Sequence, residues 1–270
     1  MTDRGVIFVA TQRDRYVEEA CLAAASAKHH APGLPVTLFT DRPDNSLCGA
    51  GCFDTVEKIE SAQGGDARAN AQINRITGLT RTPYERTLYL DTDARVVEGD
   101  IPGLFDLLDD CDVAMVEDEL ETSKARRTSG RRMFNCGVIL YGRARAPAWL
   151  KPWETLTLRN LALARETPTP FIPEITAVTD DATRQWLLEV DKIALLGVLP
   201  PDRPQTVSRV ATLDGCWNDR KPVAGSGVNI HHPHDRVGSL AEDIGKVARA
   251  WAADGRENEA EALRDYLAAL

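Results

Sequence analysis

The chain of 270 residues has room for one large domain or two small ones, and its 43% hydrophobic and 27% charged residues suit an ordinary globular protein. That length can bury a sizeable core, which excludes small stapled scaffolds, and the composition excludes collagen-like and coiled-coil classes. A formal net charge of −9, from 41 acidic and 32 basic residues, makes nucleic acid and anionic membrane poor partners, so an anionic ligand would need a bound cation or clustered arginines.

The N-terminal stretch is too briefly apolar for a signal peptide, and no run approaches the roughly 18 apolar residues of a membrane span. Val6-Ile7-Phe8-Val9-Ala10 is a short continuous apolar run, as a strand buried on both faces requires. Val17, Cys21, Ala24 and Ala25 then recur at helical spacing between Tyr16 and Lys28, and Pro32-Gly33 stops that helix. Val36–Thr40 reads as a second strand and Phe53–Ile59 as a third. Asp66–Ile76 reads as a helix closed by Gly78. Thr87–Leu90 is the next strand, Leu104–Leu108 a short helix, and Val113–Val116 and Val138–Tyr141 further strands.

In the second half, Trp149–Arg165 and Asp180–Val190 look helical, Ile193–Leu199 reads as a strand, and Val228–Ile230 runs into a histidine tract. Leu240, Ile244, Val247 and Trp251 form a helical stripe suited to packing. Strands alternating with helices predict an α/β layered fold with a mostly parallel central sheet. The expected organisation is one domain over residues 1–238, with a helical extension over 239–270 packed on it. The six cysteines form no CxxC pair and are expected to be reduced thiols in a cytoplasmic protein.

In parallel sheets, ligands sit beyond the carboxyl ends of the strands. Asp91-Thr92-Asp93 stands directly behind the strand Thr87–Leu90. In extended chain the two carboxylates would lie on one side, with Cα atoms roughly 6–7 Å apart. They would repel, and a hard divalent cation such as Mg²⁺ or Mn²⁺ would remove that repulsion. The cation would also let an acidic protein hold a diphosphate. The plain alternative is a solvated turn. A phosphotransferase of the haloacid dehalogenase type also places Asp-x-Asp after a strand. There a Thr or Val stands two residues past the second Asp, where this chain has Arg95, and the triplet lies on the first strand.

Five further segments accompany the acidic triplet: Val9-Ala10-Thr11-Gln12-Arg13-Asp14-Arg15-Tyr16, Asn70–Arg75, Phe134-Asn135-Cys136-Gly137-Val138, Thr179–Gln185 and Ile230-His231-His232-Pro233-His234. Their order resembles the nucleotide-sugar glycosyltransferases of GT-A fold, closest to glycosyltransferase family 8 and related bacterial sugar transferases. The resemblance spans about residues 5–235.

The resemblance implies a Rossmann-like nucleotide-diphospho-sugar transferase fold and a metal-dependent hexosyl transfer. The donor would be a nucleoside diphosphate sugar, UDP-sugar first, and the acceptor a sugar or other hydroxyl, with retention. Ala10, Thr11 and Tyr16 would hold the nucleoside, Tyr16 by stacking and Thr11 at the base edge. Tyr16 could equally pack on the first helix. Arg75 would bind phosphate or ribose, or tie down the first Asp. Asp93 would bind Mn²⁺ or Mg²⁺, with Asp91 sharing the metal or accepting a ribose hydroxyl and Thr92 between them. Asn135 would address sugar hydroxyls, and Gly137 would allow close backbone approach. Asp180 or Asp181, with Gln185, would lie near the reacting carbon, although an Asp at a helix start also serves as an N-cap. His231 or His232, with His234 a third choice, would complete the metal set. The family's Lys-Pro-Trp phosphate clamp is missing after the histidines, where Arg236 could serve. Lys124, Arg126, Arg127, Arg131 and Arg132 form either a lid or a solvated segment.

Two other classes fit less well. A sugar nucleotidyltransferase normally has a Gly-rich loop after the first strand, and Ala10–Asp14 contains no glycine. A non-catalytic nucleotide- or carbohydrate-binding protein would not need Asp91, Asp93 and Asn135 together.

Overall fold

The computed structural model describes residues 3–63, 67–117, 134–151, 153–155, 158, 210–213, 230–231, 240–253 and 255–269. The apolar run at the N-terminus becomes β1 (Arg4–Ala10), third from one edge of a seven-stranded sheet. Chain order continues with β2 (Val36–Thr40), β3 (Thr55–Lys58), β4 (Arg86–Leu90), β5 (Arg95–Val96), β6 (Val113–Glu117), β7 (Phe134–Gly142), β8 (Val210–Leu213) and β9 (Ile230–His231). The main sheet runs β3-β2-β1-β4-β7-β6-β8, and β5 pairs with β9 in a separate two-stranded ribbon. Among the described residues, only β7 opposes its neighbours in the main sheet, and the other pairs are parallel.

Alternation along the central strands feeds two cores, one on each face. Val6, Phe8 and Ala10 of β1, with Leu88 and Leu90 of β4, join the core beneath α1 (Asp14–His30). Ile7 and Tyr89 join the opposite core, with Ile76 and Leu79 of α2 (Ala67–Thr80) and with Trp149 and Trp153. After β5 come the single-turn α3 (Ile101–Leu104) and a 3-10 turn, Phe105–Asp109. The C-terminal helices α4 (Leu240–Ala253) and α5 (Glu257–Ala269) bury Ile244, Ala248, Trp251, Ala260 and Leu263 in the core that α1 covers.

Several expectations change. The helix expected to close at Gly78 continues to Thr80. Gly78 is there for contact: a Cβ on it would overlap Cγ2 of Val9 on β1. The acidic triplet is not extended, because residues 91–94 form a turn in which the Ala94 amide donates to the Asp91 carbonyl at 3.0 Å. The alternation argument for placing both carboxylates on one side therefore lapses. Cys21 and Cys52 are not reduced thiols but form a disulfide between α1 and the segment before β3, with Cα atoms 5.4 Å apart. Cys48 remains a half-buried thiol. Of the helix expected over 149–165, residues 147–151 and 153–155 are helical and most of the rest lies outside the described residues. The helix expected over 180–190 and the strand expected over 193–199 also lie outside them. Among the described residues, no helix is long and apolar enough to cross a membrane.

Candidate functional site

β1, β2 and β4 are parallel, so the segments that follow them open on one edge of the sheet. Thr11–Gln12, Asp41–Arg42 and Asp91–Asp93 thereby come together. β7 runs the other way and brings its first residues to that edge. The Asp91 amide donates to the Gly137 carbonyl at 2.8 Å, which seats Asn135–Gly137 beside the acidic turn.

Asp91 is held by two neighbours. Arg75 on α2 donates from Nη2 to Asp91 Oδ1 at 2.9 Å, and the Tyr89 hydroxyl donates to the same oxygen at 2.5 Å. Arg75 Nε donates to the Tyr89 hydroxyl at 3.0 Å and Nη1 to Gln72 Oε1 at 2.9 Å. The guanidinium also lies over the Tyr89 ring, 5.6 Å from its centroid. Of the roles expected for Arg75, the structure has the one that ties down the first Asp. Burial is the largest single influence and works against the Arg75 charge, but Asp91, Tyr89 and Cys136 together outweigh it and hold the guanidinium protonated well above its ordinary range. Burial pushes the Tyr89 phenol well up, and Asp91 adds to this against the opposing pull of Arg75. Tyr89 therefore stays a neutral donor.

Neither Tyr89 nor Gln72 was expected at the site. Both had a signal: Tyr89 precedes Asp91 by two residues on a strand, and Gln72 precedes Arg75 by three on a helix. Two other arginines between α2 and the acidic triplet serve elsewhere: Arg81 pairs with Glu57 at 3.0 Å and Arg86 with Asp109 at 2.7 Å.

The loop after β1 is fixed tightly. Ala10 ends β1 with its side chain in the core, and Thr11 is 4% exposed. Thr11 Oγ1 accepts from Asn74 Nδ2 of α2 at 2.7 Å, so the hydroxyl expected at a base edge fastens the loop to α2. Gln12 takes a left-handed φ of 76°, which a non-glycine residue adopts at some cost. Its amide donates to both Asp41 oxygens at 3.1 Å, and its carbonyl accepts from Arg42 Nη2 at 2.6 Å. Tyr16 is half-buried against the core.

Thr92 donates from Oγ1 to Glu19 Oε2 on α1 at 3.1 Å. Asn135 Oδ1 accepts from the Gly137 amide at 2.7 Å, so its side chain shapes the start of β7. His231 enters through its backbone: β9 pairs antiparallel with β5, with His231 opposite Arg95 and Ile230 opposite Val96. The histidine tract thus begins alongside the segment that leaves the acidic turn. Among the described residues, no three His, Cys, Asp or Glu side chains are grouped to hold a metal. Asp180, Asp181, Gln185, His232, His234, Arg236 and the basic segment 124–132 lie outside the described residues.

No protein-family model matches the sequence, and no curated protein matches it. Solved structures do match. LgtC aligns in two structures, each with a TM-score of 0.50 at 14% identity. An active-site mutant of LgtC covers 91% of this chain and 95% of its own, and the galactosyltransferase LgtC in complex with donor and acceptor sugar analogs covers 98% and 96%. The glycosyltransferase GlyE of Streptococcus pneumoniae TIGR4 aligns with a TM-score of 0.50 at 17% identity, over 99% of this chain and 64% of GlyE. The bifunctional glycosyltransferase WbbM aligns with a TM-score of 0.54 at 12% identity, over 94% of this chain and 52% of WbbM. This chain thus spans about half of WbbM and less than two thirds of GlyE. With strand order β3-β2-β1-β4-β7-β6-β8, an antiparallel β7 among otherwise parallel described strands and these alignments, the chain has the fold of the GT-A-type glycosyltransferases.

Proposed function

We propose that the chain is a metal-dependent glycosyltransferase that moves a hexose from a nucleoside diphosphate sugar, UDP-sugar first, to a hydroxyl acceptor with retention. The observation that carries this reading is the meeting of Asp91-Thr92-Asp93 with the loop after β1, the start of β7 and the β9 strand that leads into the histidines. Asp91 and Asp93 offer hard oxygen donors that suit Mn²⁺ or Mg²⁺, and His231 or His232 would complete the set. A divalent ion bound there would offset the charge that builds on the departing diphosphate.

The chain's own groups set the stage for that chemistry. Arg75 and Tyr89 fix the rotamer of Asp91, and the clamp on Gln12 gives the nucleoside loop one shape. With retention no strong protein base is needed, since the leaving phosphate can take the acceptor proton. With inversion Asp180 or Asp181 would act as base, with Gln185 beside it.

Incubation with UDP-, GDP-, CDP- and dTDP-sugars and Mn²⁺ tests the reading. Release of free nucleoside diphosphate supports it, and its suppression by EDTA supports the metal. Pyrophosphate released from a nucleoside triphosphate and a sugar phosphate would make the chain a nucleotidyltransferase. Binding without turnover would make it a binding protein on the same scaffold.

A further inference from the structure

α1 carries a carboxylate that the proposed reaction does not use. Glu19 is 5% exposed, and its Oε1 accepts from Arg15 Nε at 2.9 Å while its Oε2 accepts the Thr92 hydroxyl at 3.1 Å. Burying a carboxylate is expensive even when it is paired, and Asp91 and Asp93 flank Thr92 with charge of the same sign. Packing alone would favour an apolar side chain at position 19.

A second tie lies two turns further along α1. Ser26 Oγ donates to the Ala23 carbonyl at 2.7 Å and accepts the Val96 amide at 3.0 Å. Residues 19 and 26 are seven apart, so they share a helix face and stand about 10.5 Å apart along the axis. Thr92 and Val96 are four apart, and four extended residues span about 13 Å, shortened here by the turn at 91–94. The two spacings match, and α1 splints the whole stretch from the acidic turn to β5. Ala94 and Val96 are buried in the core that α1 covers. β5 in turn holds β9 and the first histidine of the tract.

We propose that Glu19 is a positioning residue for the metal-binding turn and that it acts through the Thr92 hydroxyl. The turn is then fixed from two sides: Arg75 and Tyr89 hold Asp91 from one core, and Glu19 holds Thr92 from the other. The inference rests on the metal-dependent reading above and names the residue pair that sets the geometry of the turn.

Thr92→Val keeps the shape and removes the hydroxyl. It is expected to weaken Mn²⁺-dependent UDP binding about two- to tenfold and to raise the donor KM by a similar factor, with little change in kcat. Glu19→Ala should do the same, and the double variant should be no weaker than the weaker single one. Thr92→Ser should restore the binding lost in Thr92→Val, and Glu19→Gln, which keeps an acceptor, should lose less than Glu19→Ala. Additive losses, or Thr92→Val binding like the parent, overturn the pairing. Amide hydrogen exchange over residues 92–96 in metal-free protein separates the two ideas. If the parent binds no Mn²⁺ and UDP, the functional reading fails; exchange that quickens in Thr92→Val still supports the splint, and unchanged exchange overturns it.

Discussion

One oxygen of Asp91 accepts both the Tyr89 hydroxyl and an Arg75 nitrogen, and a second Arg75 nitrogen uses the Tyr89 hydroxyl as its acceptor. Tyr89→Phe removes a donor and an acceptor together and leaves the partly buried Arg75 Nε without this partner. A buried polar group deprived of its partner costs about 1–3 kcal/mol, more than the gain from burying a less polar ring. The variant is expected to lose roughly that much stability in urea unfolding, and a loss under about 0.5 kcal/mol would mean that the triangle contributes little. Asp93 tests the metal more directly. Asp93→Ala should abolish Mn²⁺-dependent UDP binding while leaving the fold intact by circular dichroism, and unchanged affinity in titration calorimetry would remove Asp93 from the site. At this scale the sequence was informative for Arg75, where the expected tie to the first Asp is the one the structure has. It gave no sign of the left-handed Gln12 or of the Asp41–Arg42 clamp, because those bonds join residues 29 and 30 positions apart.

At the level of elements, α2 and α1 each carry a feature that local rules misread. Gly78 sits inside α2, where alanine would normally favour the helix by about 1 kcal/mol. Here a Cβ would overlap Cγ2 of Val9, and the stiffness of a β-branched side chain leaves little room for it to yield. Overpacking costs about 1–3 kcal/mol, so the sign reverses and Gly78→Ala is expected to destabilise. A midpoint that rises in thermal unfolding would show that α2 can move off β1. On α1, the Cys21–Cys52 disulfide closes a loop with a sequence separation of 31. Loop-closure entropy for that length corresponds to about 3–4 kcal/mol, which Cys21→Ser should lose and which dithiothreitol should remove from the parent but not from the variant. A parent that ignores reductant would restore the reduced-thiol reading. A persistent disulfide is uncommon in a reducing cytosol, so the same experiment bears on the cytoplasmic expectation. Scattered cysteines carry no pairing information in one sequence, which is why this bond was not legible.

Across the whole molecule, the central strands were readable because strands buried on both faces must be continuously apolar. β8, a four-residue Val-Ala-Thr-Leu segment, was not, since nothing punctuates it and its place in the sheet depends on pairing with β6. The tail poses the remaining question of organisation: is 239–270 an appendage or part of the fold? α4 and α5 place Ile244, Trp251 and Leu263 in the same core as Val6, Phe8 and Leu88. Arg256 between them donates to the Gly51 carbonyl at 3.3 Å and lies over Trp251, 4.1 Å from the ring centroid. Gly51 itself, with φ 77°, leaves no room for a side chain beside Glu259 of α5. Burying three large apolar side chains contributes roughly 5–9 kcal/mol at 1.5–3 kcal/mol each, against a total stability of about 5–15 kcal/mol for a typical protein. A chain ending at residue 238 is therefore expected to show no cooperative unfolding transition and to expose the α1 face to hydrophobic dye. If the truncated chain melted cooperatively within a few degrees of the parent, the two helices would be an independent extension, and the core beneath α1 would have to close without them.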